Sequence, residues 1–155
     1  MSVQPIPAGY HSLTPYLICS DAAAAIEFYK KAFNATEIMR LDGPGGSIMH
    51  AEVKIGDSPL MLTSEHPDMG FRAPSSYGGT PVSLMIYTED CDQMFAQALA
   101  AGAKEMKPLQ DQFYGDRSGT LTDPCGHVWT IATHKEDVSP EEIDKRLAAM
   151  LPPTG

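Results

Sequence analysis

Side chains with chemical potential gather in two places in this sequence. Tyr114, Gly115, Asp116 and Arg117 set an aromatic ring, a carboxylate and a guanidinium beside a glycine. His50 and Glu52 stand two residues apart in a segment that alternates apolar with polar residues. Its pattern predicts Met49, Ala51, Val53 and Ile55 on one face and His50, Glu52 and Lys54 on the other. This spacing has two readings. In one, His50 and Glu52 are the polar face of a half-buried strand. In the other, an imidazole base with a carboxylate beside it moves a proton on a bound ligand or holds a metal at a shifted site. The second cluster is equally open. Asp116 and Arg117 pair with each other or with the backbone in a structural turn, or Arg117 grips an anionic ligand bidentately while Tyr114 stacks or donates a hydrogen bond.

Other candidates carry less weight. Asp123-Pro-Cys-Gly126 separates two β-rich runs, with Pro at the second and Gly at the fourth position of a four-residue turn, so residues 113–134 read as a hairpin that walls any site. His127 follows that turn and is expected to hydrogen-bond there, and Trp129 is expected in the core. Cys125 has no activating partner in the sequence and is not read as a nucleophile. His11, His66 and His134 lie at strand ends or in a loop.

These residues need elements to position them. A strand is predicted over His11–Cys19, followed by a helix over Ala22–Phe33. Its inner face is Ala22, Ala25, Ile26, Tyr29 and Phe33, with Asp21 either at its N-cap or in its first turn behind Ser20, and Asn34 at its left-handed end. Strands over Thr36–Leu41, Ser47–Ile55 and Pro59–Thr63 complete a module of about residues 9–64. A polar linker, 65–79, leads to a second module of about 80–137. This has a strand over Pro81–Tyr87, a helix from Asp90 to Gly102, and strands over Lys104–Leu109, Phe113–Thr122 and His127–Thr133. Thr14 to Ser83 and Asp21 to Asp90 are both 69 residues apart, so the second half repeats the first. The fold class is therefore α+β, two tandem βαβββ modules. Ser139-Pro-Glu-Glu142 is a capping box opening a helix over about 139–150, with Ile143, Leu147 and Met150 along one side.

Composition narrows the function. Eleven Lys and Arg against twenty Asp and Glu give a net charge of −9, which argues against a nucleic-acid partner. Three widely spaced cysteines give neither a disulfide framework nor a zinc knuckle, and point to a cytoplasmic, reducing compartment. Neither a signal sequence nor an apolar run long enough for a membrane is read. With no glycine-rich loop between a strand and a helix, a nucleotide-cofactor methyltransferase is disfavoured.

The paired modules, the helix pattern of residues 25–33, His50-Ala-Glu52, Gly56-Asp-Ser58, Tyr114-Gly-Asp-Arg117 and Asp123-Pro-Cys-Gly-His-Val-Trp129 together resemble the vicinal oxygen chelate superfamily. That group includes glyoxalase I, bleomycin- and fosfomycin-resistance proteins and extradiol dioxygenases, and within it the chain looks like the PhnB-like branch. The resemblance implies sheets that curl around a cavity with the helices outside, and frequent homodimers. It also implies four metal-ligand positions on the first and last strands of the modules, which fall here at Thr14, Met61, Ser83 and Thr130. None suits a divalent cation, so no metal or other cofactor is expected. The cavity is expected to hold a small, partly apolar ligand against Thr14, Tyr16, Met61, Ser83, Met85, Tyr87 and Thr130, with Tyr114, Asp116, Arg117, His50 and Glu52 fixing its polar end. The alternative is a lyase, isomerase or thiol transferase with zinc, nickel or manganese at a rearranged site using His50 and Glu52.

Overall fold

Helix α1 forms where the sequence caps it at both ends. In the computed structural model, which describes residues 2–153, α1 spans Ala22–Phe33. Asp21 Oδ1 accepts from the Ala24 N–H at 3.0 Å, and Asn34 closes the helix at φ 57°, ψ 32°. The expected inner face is buried, joined by Phe28 and Ala32. Around α1 lie β1 (Tyr16–Cys19), β2 (Thr36–Asp42), β3 (Ile48–Ile55) and β4 (Ser58–Ser64). A short helix, α2 (Pro74–Tyr77), sits in the linker. The second module has β5 (Ser83–Tyr87), α3 (Cys91–Ala101), β6 (Lys104–Asp111), β7 (Asp116–Thr122) and β8 (Val128–His134), and α4 (Pro140–Met150) follows. Asp90 caps α3 as Asp21 caps α1, accepting from the Gln93 N–H at 3.0 Å.

Two four-stranded sheets result, ordered β1-β4-β3-β2 and β5-β8-β7-β6. In each, the first and last strands of the module run parallel and the other pairs antiparallel. The α+β fold of two βαβββ modules is thus observed, but no closed barrel forms within one chain. The helix-facing sides of both sheets share one apolar core in which α1 touches α3. Phe33 of α1 packs against Trp129 of β8 with ring centroids 4.8 Å apart and planes tilted by 46°. The opposite faces stay open, and Tyr16, Met85 and Tyr87 are exposed on them.

Buried Asp123 locks the modules together. Its carboxylate accepts from Tyr29 Oη (2.6 Å), Trp129 Nε1 (2.9 Å) and the Cys125 and His127 N–H groups (2.8 and 3.0 Å). His127 Nε2 in turn bonds the Ile18 carbonyl of β1 at 2.8 Å. The expected turn is present: the Gly126 N–H donates to the Asp123 carbonyl at 3.0 Å, with Gly126 at φ 93°. The sequence Asp-Pro-Cys-Gly-His-Val-Trp is therefore a structural knot.

Besides shifts of one or two residues at other strand ends, such as β5 starting at Ser83, three departures from the sequence pattern affect the site. The first strand begins at Tyr16, not His11. Pro15 brings no N–H to the ladder, and Leu13 before it is 86% exposed. In β3, Met49 is exposed and Ile48 buried, because the β2–β3 register shifts between Leu41 and Asp42, a bulge that reverses the alternation. Hydroxyls of β4 satisfy the bulge: Thr63 Oγ1 donates to the Ile48 and Met49 carbonyls (3.2 and 2.9 Å), and Ser64 Oγ accepts from the Ile48 N–H (2.8 Å). Finally, β7 starts at Asp116, leaving Phe113 and Tyr114 in a turn. There Gly115 has φ 107°, and a β-carbon would collide with the Glu136 carbonyl. The capping box before α4 is half formed, since Ser139 Oγ caps the Glu142 N–H at 3.2 Å while the Glu142 carboxylate turns to Arg146. Among the described residues no helix is long and apolar enough to cross a membrane.

Candidate functional site

The pleat decides which residues reach the open faces. Leu60 and Leu62 of β4 pack inward, so Met61 between them faces away from the helices, and buried Trp129 and Ile131 place Thr130 likewise. Cross-strand register then builds one row per module: Tyr16, Met61 and Glu52 in the first, and Met85, Thr130 and Thr120 in the second. Ser83 and Tyr87 flank Met85 on the same side. Thr14 lies just outside β1, before the strand whose ladder it was expected to join.

The first face carries a continuous hydrogen-bond chain. Tyr10 Oη donates to Glu52 Oε2, Glu52 Oε1 lies 3.2 Å from His50 Nε2, and His50 Nδ1 lies 3.2 Å from Tyr16 Oη. The Tyr16 and His50 rings meet at 5.6 Å between centroids. Partial burial disfavours the ionised form of Glu52, but the hydrogen bonds from Tyr10 and His50 outweigh it and hold the carboxyl below its usual range. The same bond pushes the Tyr10 phenol up to about 12. An ionised carboxylate only accepts, so Nε2 of His50 is the donor to Glu52, and in the tautomer with Nδ1 unprotonated the Tyr16 hydroxyl donates to Nδ1. Carboxylate, imidazole and phenol form a relay ending at exposed Tyr16.

The second face holds a related cluster that the sequence pattern missed. Buried Asp116 accepts from Tyr87 Oη at 2.8 Å and lies 2.8 Å from His134 Nδ1, while His134 Nε2 reaches Asp137 at 2.7 Å. Asp116 chiefly, then Asp137, raises the His134 pKa. The clue was parity: His134 shares the face of Thr130, four residues earlier on β8. Tyr10 lies in the Pro-rich lead-in and carried no comparable signal.

Arg117 does not join this face. It alternates with Asp116 to the helix side of β7, where Nε and Nη2 clasp Asp92 of α3 at 2.9 Å each and Nη1 reaches Asp111 at 3.3 Å. Neither expected arrangement occurs, because the guanidinium pairs with carboxylates of α3 and β6 instead of Asp116 or an open face. Tyr114 is half exposed in the β6–β7 turn, edge-on to Phe113 at 5.3 Å.

A divalent metal at the four strand positions does not fit. Thr14, Met61, Ser83 and Thr130 offer three hydroxyls and a thioether, and the Thr130 hydroxyl is already bonded to Thr120 at 3.0 Å. His50 and Glu52 add two donors, each committed to the hydrogen-bond chain. Among the described residues no group of three or more His, Cys, Asp or Glu side chains could hold a metal ion.

A family model described as the Glyoxalase/Bleomycin resistance protein/Dioxygenase superfamily matches residues 10–131. An uncharacterized protein of Mycobacterium tuberculosis (strain H37Rv) is 40% identical over 141 residues, spanning 89% of this chain and 83% of its own. Among solved structures, TioX from Micromonospora sp. ML1 superimposes with a TM-score of 0.63 at 26% identity, covering 80% of this chain and 98% of TioX. A PhnB protein from Bacillus cereus, described as a putative 3-demethylubiquinone-9 3-methyltransferase, gives 0.60 at 17% identity over 79% and 99% of the two chains, a likeness of fold.

Proposed function

Because this chain belongs to the glyoxalase/bleomycin resistance protein/dioxygenase superfamily, we propose that it is a PhnB-like, metal-independent member that binds a small, partly apolar ligand on its open sheet faces. The observation that carries this reading is the chain Tyr10–Glu52–His50–Tyr16 on the first face. Such a relay both orients a ligand and exchanges a proton with it, and needs no metal to set its geometry. Met61, Met85 and Tyr87 supply adaptable apolar contact around it. The donor set at the strand positions supports the metal-free part of the reading.

One chain leaves both faces open, with Tyr16 46%, Met85 50% and Tyr87 61% exposed. A homodimer in which the first face of one copy meets the second face of another closes the cavity. It brings the Tyr16 relay opposite the Tyr87–Asp116–His134 cluster of the partner copy.

The test is elemental analysis of untagged protein, followed by a small-molecule thermal-shift screen on wild type and His50→Ala. The expected result is metal-free protein, with a stabilising ligand whose affinity falls about fivefold in the variant, as for loss of one hydrogen bond of ~1 kcal/mol. One equivalent of a transition metal, lost on His50→Ala, would instead establish a metal-dependent lyase, isomerase or thiol transferase at a rearranged site.

A further inference from the structure

A groove of ≈ 790 Å³ is lined by residues of both modules and of the linker, with neither His50 nor Glu52 among them. Its walls are β1, the linker around α2, and the adjoining β5 and β8. Leu17, Ile18, Tyr77, Val82, Leu84 and Val128 make most of its surface apolar. The volume lies in the range that encloses small organic ligands.

One permanently charged side chain lines this groove: Arg72, exposed on the segment just before α2. Among the described residues Arg72 forms neither a hydrogen bond nor an ion pair, unlike Arg40, Arg117 and Arg146, each clasped by carboxylates. Glu65, whose carboxyl feels the Arg72 charge, is itself engaged by the Ala73 N–H at 2.9 Å and by the Ser76 hydroxyl. The other basic group on the lining, His127, is tied to the Ile18 carbonyl. In a protein of net charge −9, Arg72 is thus a cation on the lining of an apolar trough with no hydrogen-bonded or ion-paired partner among the described residues.

We propose that this groove binds an amphiphilic carboxylate, its apolar body along Leu17, Val82 and Val128 and its head group paired with Arg72. A single guanidinium matches one planar carboxylate in charge and shape, and offers too little positive charge for a dianion. The groove adjoins the first open face at Tyr16 but does not include His50, Glu52 or Met61 in its lining.

The test is calorimetric titration of the full chain with decanoate and with 1-decanol, on wild type, Arg72→Gln and Val82→Asp. Both substituted positions are exposed, so the fold is retained, which circular dichroism verifies. Saturable decanoate binding is expected in the wild type. Arg72→Gln weakens it at least about tenfold, the scale of a charge-assisted hydrogen bond, and leaves 1-decanol unchanged, whereas Val82→Asp weakens both. Failure of decanoate to saturate, or wild-type affinity in Arg72→Gln, overturns the proposal. So does a loss in His50→Ala larger than that in Arg72→Gln, which would place the ligand on the sheet face.

Discussion

The Tyr29 hydroxyl donates to Asp123 Oδ2 at 2.6 Å across 94 residues of sequence, fastening the helix of the first module to the hairpin of the second. Burial, with the charge of Asp123, drives the Tyr29 pKa well above its ordinary value, so the phenol remains a donor throughout the working pH range. Asp123→Ala strands four donors in the core and is expected to cost about 3 kcal/mol, against about 1 kcal/mol for Tyr29→Phe. Urea unfolding of the two variants checks the order, and equal losses would contradict it.

Thr63 supports the bulge that aims His50. Thr63→Val keeps the shape but leaves the Ile48 and Met49 carbonyls without their hydroxyl donor. A stability loss of about 1–2 kcal/mol is expected. A nuclear magnetic resonance spectrum should also show the His50 ring signals displaced, and unmoved signals would mean that the bulge holds without Thr63.

His134 gives the protein a pH-dependent element. Its pKa is raised in the fold, by Asp116 first and Asp137 second, above the ordinary 6.5. The protonated form is therefore favoured by folding. The stabilisation is fully present below the unfolded pKa and disappears as pH rises through the higher folded value. In urea midpoints measured from mildly acidic to mildly alkaline pH, His134→Gln should lack that decline. A parallel curve for wild type and variant would count against the linkage.

The cysteines should be silent in the native state. Cys19, Cys91 and Cys125 are 0%, 1% and 7% exposed, and a hydrogen bond with Cys125, together with burial, pushes the Cys19 thiol up. A disulfide reagent should label none of them quickly in buffer and all three in urea. Rapid native labelling would indicate local opening around the Asp123 turn.

Local signals specified the elements. The caps Asp21, Asn34, Asp90 and Gly102 are written in the side chains that satisfy helix ends, and the 69-residue offset carried the module repeat. Period-two alternation correctly set Leu60, Leu62 and Trp129 inward. It failed at Met49, because a bulge is a property of two strands in register and no single strand announces it.

The sequence by itself determined the α+β modules, the inner faces of their helices and the pairing of His50 with Glu52 on one strand, because these depend on contacts a few residues apart. Tertiary structure alone decided that Tyr10 and Tyr16 complete the His50–Glu52 chain, that His134 joins Asp116, and that Arg117 is spent on Asp92. Each of these last links spans 18 to 42 residues of sequence. Such partners become neighbours only when the strands of each module take their register and its helix packs on the sheet.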